Sequence, residues 1–216
     1  MTNIRNEVWK RIDADPSVQL DLERGIVNVR ALARHFQHTG VPGSKEAVIS
    51  AIRRYPRTSA KSWYETARSI VAQSHVSTKS HIVLIELSKG DEVQNILAEL
   101  FGIVRYEKGE TLRIVQGEES IRLLVDEKNR EKMLEKVPEK SVLNVYRDLA
   151  EINVHLHPQG AKTPGIVYVI SGELARHHIN MYEMLGGAPE ILIFVEEKKL
   201  MAAYNALFEL CHPKTR

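Results

Sequence analysis

A single cysteine, Cys211, leaves this chain without a partner for an intramolecular disulfide and without metal-ligand spacing. No apolar run approaches the length needed to cross a bilayer. Met1–Lys10 has no apolar core of the signal-peptide kind, so a cytoplasmic chain with no membrane partner is expected. A nucleophile elbow, a P-loop, a dinucleotide fingerprint and HExxH are all missing. Cys211 is a poor nucleophile candidate so close to the chain end, and the acidic pairs Glu118-Glu119 and Glu196-Glu197 read as solvated turns. The expectation is a protein that is not an enzyme and needs no metal or cofactor.

What is present is ordinary globular material: 216 residues, 43% hydrophobic and 27% charged, enough for two or three small domains. The net charge of +2 hides a division. Up to Lys79 there are 13 Lys plus Arg against 7 Asp plus Glu, a balance of +6; the remainder holds 17 against 21, a balance of −4. Two regions with different partners are implied.

The basic region, 1–76, reads as helix throughout. Ile4–Ala14 repeats Ile4, Val8 and Ile12 every four residues until Asp15-Pro16 breaks it. Pro16–Arg24 ends at Gly25, Asn28 caps Val29–His38, and Ser44 caps Lys45–Tyr55. A further helix is expected over Ser59–Ala72. Short helices with tight turns resemble a helix-turn-helix module. Lys45–Tyr55 is then the recognition helix, and Lys45, Arg53, Arg54 and Arg57, helped by Lys61, are the candidate nucleic-acid contacts. The turn before it, His38–Gly43, is longer than a compact helix-turn-helix needs, and a small bundle for dimerisation or docking, its cations merely solvated, fits the pattern as well.

Gln73–Ser80 is polar and reads as a linker. After it come strand His81–Leu87, helix Asp91–Phe101, strands Thr111–Gln116 and Ile121–Val125, helix Asn129–Val137 and strand Val142–Arg147. That order is a ferredoxin-like βαββαβ unit over 80–147. A second copy, 148–216, follows at a period of roughly 70–80 residues. Its parts are strand Leu149–Leu156, a helix opened by Thr163 as N-cap with Pro164 at its first position, a strand opened by Ile179-Asn180 and closed by Gly186-Gly187, strand Ile191–Val195, and helix Lys198–Leu210. Little chain is left for a fourth strand, so the second sheet has three strands or borrows Val142–Arg147. The expected fold is α+β: an all-helical domain followed by two tandem βαββαβ domains.

Thr163-Pro164-Gly165 and Ile179-Asn180 carry a resemblance. Residues 149–210 resemble an ACT domain, and are most similar to the regulatory domains of aspartate kinases, where a T-P-G turn opens the first helix and an I-N pair the next strand. The whole chain resembles archaeal proteins predicted to regulate amino-acid metabolism. The first copy departs from the pattern, with Ser88-Lys89-Gly90 at the turn and no I-N pair.

An amino acid presents a carboxylate, and a helix N-terminus offers N–H groups and a positive dipole end. Gly165, Ile166 and Val167 are placed to supply those groups, and Asn180 an amide. The resemblance implies an effector at this helix mouth against a facing ACT domain, with Thr163, Pro164, Gln159, Met181 and Lys162 nearby. Without a ligand, the same residues are a well-made helix start and a turn. His155 and His157 alternate along a strand near His177 and His178, which gives a polar sheet face or interface, not a metal site.

The function expected is an amino-acid-binding regulator of amino-acid metabolism. It acts on transcription through the helical domain, or alternatively as a non-catalytic subunit that controls a biosynthetic enzyme by contact. The partners implied are an amino-acid effector, DNA or that enzyme, and further copies of the chain in a homodimer or higher homo-oligomer.

Overall fold

The computed structural model describes residues 3–56 and 63–213. The chain divides into two compact units, 1–66 and 67–216.

The first unit is helical: α1 (Ile4–Asp13), α2 (Pro16–Glu23), α3 (Val29–His38) and α4 (Lys45–Arg53). Each begins at a side chain that accepts an otherwise unpaired N–H: Asn3 from Arg5, Asp15 from Ser17 and Val18, Asn28 from Ala31, Ser44 from Ala47. The apolar stripes converge on one core holding Val8, Ile12, Leu22, Phe36, Val48 and Ile52. The Trp9 indole donates to the Ala51 carbonyl at 3.0 Å and the Tyr55 hydroxyl to Asp13 at 2.6 Å, which locks α1 against the end of α4. The expected start of the next helix at Ser59, together with Arg57 and Lys61, lies outside the described residues.

The helix α5 (Trp63–Val71) crosses the division between the units. The second unit then runs β1 (His75–Ser88), α6 (Asp91–Phe101), β2 (Leu112–Gln116), β3 (Ser120–Asp126), α7 (Arg130–Lys136), β4 (Val142–His155), α8 (Ile166–Arg176), β5 (Glu183–Gly187), β6 (Glu190–Glu196) and α9 (Leu200–Cys211). All strand pairs are antiparallel, in the order β2-β3-β1-β4-β6-β5.

Two long strands make this sheet different from two tandem ones. β1 and β4 each have 14 residues, and each carries one residue in left-handed conformation near its middle, His81 (φ 59°) and Asp148 (φ 55°). The β1–β4 register shifts on both sides of Ile82↔Leu149, beside these residues. On one side of the joint, Ile82–Ser88 of β1 lies between β3 and the first half of β4. On the other, the second half of β4 lies between β6 and the first half of β1, from His75↔His155 to Lys79↔Glu151. Two four-stranded halves result, β2-β3-β1-β4 and β1-β4-β6-β5, interlocked through their shared strands.

This corrects three expectations. Residues 75–80 are strand, not linker. Their pattern is polar because the segment is an edge strand, paired on one side only. The missing fourth strand of the second copy is this His75–Lys79 segment, not Val142–Arg147, which completes the first copy. Strands 142–147 and 149–156 are one continuous β4, so the division expected at 147/148 falls within a strand.

The halves fold face to face. Ile82, Leu84 and Leu124 of one share a core with Leu149, Leu192 and Phe194 of the other. Arg122 on β3 reaches Glu183 on β5 at 2.8 Å, although those strands are four places apart in the sheet order. Arg113 on β2 makes two 3.0 Å bonds to the buried Glu151 on β4. On the opposite face of the first half, Val83, Ile85, Leu87, Ile121, Leu123 and Val125 pack under Val93 and Leu100 of α6 and Met133 of α7. Period-two alternation thus serves two cores, one under the helices and one between the halves.

Candidate functional site

The residues singled out in the second copy fall at the two ends of α8. After β4, a 3-10 turn (Pro158–Lys162) leads into Thr163-Pro164-Gly165. The helix starts two residues later than Pro164: Gly165 is its N-cap, in left-handed conformation (φ 90°, ψ −2°), and Ile166 its first residue. Thr163 is therefore not the cap; its hydroxyl donates to the Gln159 carbonyl at 2.8 Å and closes the preceding turn. His157 fixes the same turn, accepting the Gln159 N–H at Nδ1. A β-carbon at φ 90° is strained, so glycine is the residue this entry angle requires.

The first intrahelical bond is made by the Val169 N–H to the Gly165 carbonyl, so the N–H groups of Ile166 and Val167 lie ahead of it at the mouth. Gly165 supplies no side-chain cap, and the first turn holds no acidic residue. Val167 is 53% exposed beside it.

The corresponding mouth in the first copy differs in the property that matters. α6 also starts from a glycine without a side-chain cap, Gly90, but its first two residues are Asp91 and Glu92. Glu92 is paired with Lys140 at 2.7 Å, and both line a cleft of about 440 Å³ with Ser88, Gly90, Asp91 and Ser141. The first turn of α6 thus carries two carboxylates, where that of α8 carries none.

Asn180 and Met181 do not join Gly165. They lie beyond the C-terminus of α8, in the loop before β5, so the strand expected at Ile179 begins at Glu183 instead. Ile179 is spent as a core residue and as donor to the Leu174 carbonyl, closing the helix. An 11-residue helix spans about 16 Å, which separates Asn180 from the mouth within one copy.

In the helical unit, Lys45, Arg53 and Arg54 line one open groove of about 530 Å³ with Glu46, Ile49 and Ser50. Arg30, from the first turn of α3, joins them. The sequence reading missed Arg30, because only three-dimensional packing brings the start of α3 beside the length of α4. Arg57 lies outside the described residues.

The histidines do not converge. β4 ends at His155, so His157 has left the sheet, while His177 lies 3.3 Å from Glu173 at the far end of α8. Among the described residues no group of three or more His, Cys, Asp or Glu gathers to hold a metal. Cys211 is buried in the last turn of α9, where burial pushes its thiol up to about 11, far from a nucleophile's range.

No protein-family model matches this chain, and no curated protein does. Solved structures match it. The aspartate kinase of Clostridium acetobutylicum aligns with a TM-score of 0.52 at 17% identity over 62% of this chain, which spans only 34% of that enzyme. The ligand-free regulatory subunit of aspartate kinase from Thermus thermophilus aligns at 0.50 with 18% identity, over 62% of this chain and 95% of the subunit. Aspartokinase alpha and beta subunits align at 0.50 with 14% identity, over 66% of this chain and 96% of theirs. At these identities the likeness speaks for the fold alone: over the aligned part, this chain folds like the regulatory domains of aspartate kinase.

Proposed function

We propose that this protein is an amino-acid-binding regulator of amino-acid metabolism, in which an effector at the α8 mouth of the ACT-like second copy biases how the interlocked sheets pair and so controls the helical unit. The observation that carries this reading is the contrast between the two helix mouths. The first turn of α8 exposes Val167 and holds no acid of its own; the first turn of α6 carries Asp91 and Glu92. A ligand carboxylate is favoured at the first and repelled at the second. The output we propose is transcriptional, through the basic surface of α3 and α4, with the protein acting as a homodimer. Because Asn180 is a helix length from Gly165, an effector that uses both needs the mouth of one copy to face the Asn180 loop of another. Thr163, Pro164, Ile166, Val167, Gln159 and Met181 complete the proposed shells at those two ends.

A second reading, a non-catalytic subunit that controls a biosynthetic enzyme, is favoured by the open edge of β4. Its first half pairs on one side only and exposes Leu143 (51%), Val145 (37%) and Tyr146 (38%), an edge suited to a strand from another protein.

Thermal unfolding with each amino acid in turn tests the first reading. A ligand that binds only the folded state raises the midpoint by mass action, worth about 2.7 kcal/mol at 100 times Kd. Val167→Glu, which copies the position of Glu92, should abolish the shift while leaving the unliganded midpoint nearly unchanged. If no amino acid moves the midpoint at millimolar concentration, the effector reading fails.

A further inference from the structure

We infer that the groove between α3 and α4 is a seat for a nucleic-acid strand, gripped by its phosphodiester backbone and not read through its bases. This deepens the output proposed for the α3 and α4 surface and rests on that part of the reading, but not on the effector, since the binding is expected without any amino acid present.

Four cations line this one groove: Arg30 from α3, and Lys45, Arg53 and Arg54 from α4. Arg30, Arg53 and Arg54 are exposed and Lys45 is half-buried. No ion pair among the described residues engages any of the four, whereas Arg11 and Arg24 of the same unit are paired with Glu7 and Asp21. Glu46 is the single acid in the lining. An uncompensated set of this kind holds a high positive potential, and its natural complement is a chain of phosphates.

The make-up of the lining favours backbone gripping. One face of α4 and its C-terminal end supply Lys45, Arg53 and Arg54, and the first turn of α3 supplies Arg30 beside them. The lining contains no Asn or Gln to pair with adenine, so any base contact would fall to the same arginines whose forks match phosphate. From Lys45 to Arg53 the helix rises about 12 Å, which spans three to four nucleotides at 3.4 Å per nucleotide along one strand. Three of the four cations are arginines, whose planar forks match phosphate oxygens.

Binding of the full-length protein to fluorescent oligonucleotides, followed by anisotropy across a salt series, tests this. The probes are a duplex and a single strand of about 20 residues, each in two scrambled sequences, with inorganic phosphate as competitor. The expected result is binding at low salt that varies less than about threefold with sequence, with a log–log salt slope of about −3 to −4 on duplex, since each neutralised phosphate contributes about −0.9. Arg30→Ala and Arg53→Ala should each reduce the slope by about 1, and Glu46→Gln should tighten binding. Among the described residues no ion pair or side-chain hydrogen bond engages Arg30, Glu46 or Arg53, so unchanged thermal midpoints will show that the variants are folded. A single strand bound more tightly than duplex at equal salt identifies an unpaired strand as the occupant; the reverse identifies one strand of a duplex, and both keep the inference. Absence of binding at low salt overturns it. So does binding that Arg30→Ala and Arg53→Ala leave unchanged, a tenfold or larger preference for one sequence, or equal saturation by inorganic phosphate at matched phosphate concentration, which marks a small-anion site.

Discussion

Glu110 shows how one side chain can hold a connection. Its carboxylate accepts the Arg105 N–H at 2.9 Å and an amide hydrogen of Asn129 at 2.8 Å, and lies 2.9 Å from the Lys128 ammonium. Led by the backbone bond, these contacts lower its pKa from the ordinary 4.5 to about 2. A carboxyl with a depressed folded-state value stabilises the fold above its unfolded value and loses that contribution as pH falls through the folded one. Glu110→Gln should therefore lower the denaturant midpoint at pH 7. The gap between the two proteins should shrink between about pH 4.5 and about pH 2. Urea midpoints measured across that range check it; a gap that stays constant with pH removes the charge from the explanation. Glu151 is the complementary case. It is buried, and both its oxygens are held by Arg113, which is itself about a third exposed. Glu151→Ala strands that guanidinium between the two half-sheets. Breaking a fully buried pair costs about 3–5 kcal/mol, and solvent access at Arg113 brings the expected loss down to about 2 kcal/mol. A measured loss below about 0.5 kcal/mol would show that the halves are held without this pair.

At the scale of elements, β1 carries the most surprising assignment. Its first half, HVSTKS, has none of the alternation that marks a half-buried strand, yet it supplies the fourth strand of the second copy. Lys79 ties it down further, with its ammonium 2.8 Å from Asp126 and donating to the Gly109 carbonyl and the Thr111 hydroxyl, each at 2.7 Å. A chain beginning at residue 67 keeps this strand; one beginning at residue 81 loses it and opens the edge of β4 along Glu151–His155. The longer piece should unfold in one cooperative transition. The shorter should aggregate or lose cooperativity, as an exposed edge strand predicts. Equal cooperativity in the two, by circular dichroism melts, would deny β1 this role.

For the whole molecule, the internal repeat is interlocked by exchange. Both copies keep the strand–helix–strand–strand–helix order, but each closes its half-sheet with a strand borrowed from the other's long β-strand. The arrangement couples the copies: anything that shifts β1 against β4 must disturb both half-sheets and the core between them, where Leu124 meets Phe194. That gives the proposed effector at the α8 mouth a physical route to the rest of the unit.

Much of this was determined by the sequence alone. Helix caps at Asn28 and Ser44, the apolar stripes of α3, α4 and α6, and the doubled strand–helix order are written in local periodicity and capping chemistry, and the structure places those elements within a few residues of the expected positions. The Thr163-Pro164-Gly165 turn was legible too, although which residue caps α8 was not, because a left-handed glycine and a threonine cap leave similar signatures. What tertiary structure decided is everything that depends on a distant partner. Residues 75–79 become a strand because β4 offers hydrogen bonds 76 or so residues away, not because of their own pattern. Arg30 becomes part of a basic groove because α3 packs beside α4. Asn180 is parted from Gly165 because α8 lies between them; the helix was legible in the sequence, but the start of β5 at Glu183 instead of Ile179 was not.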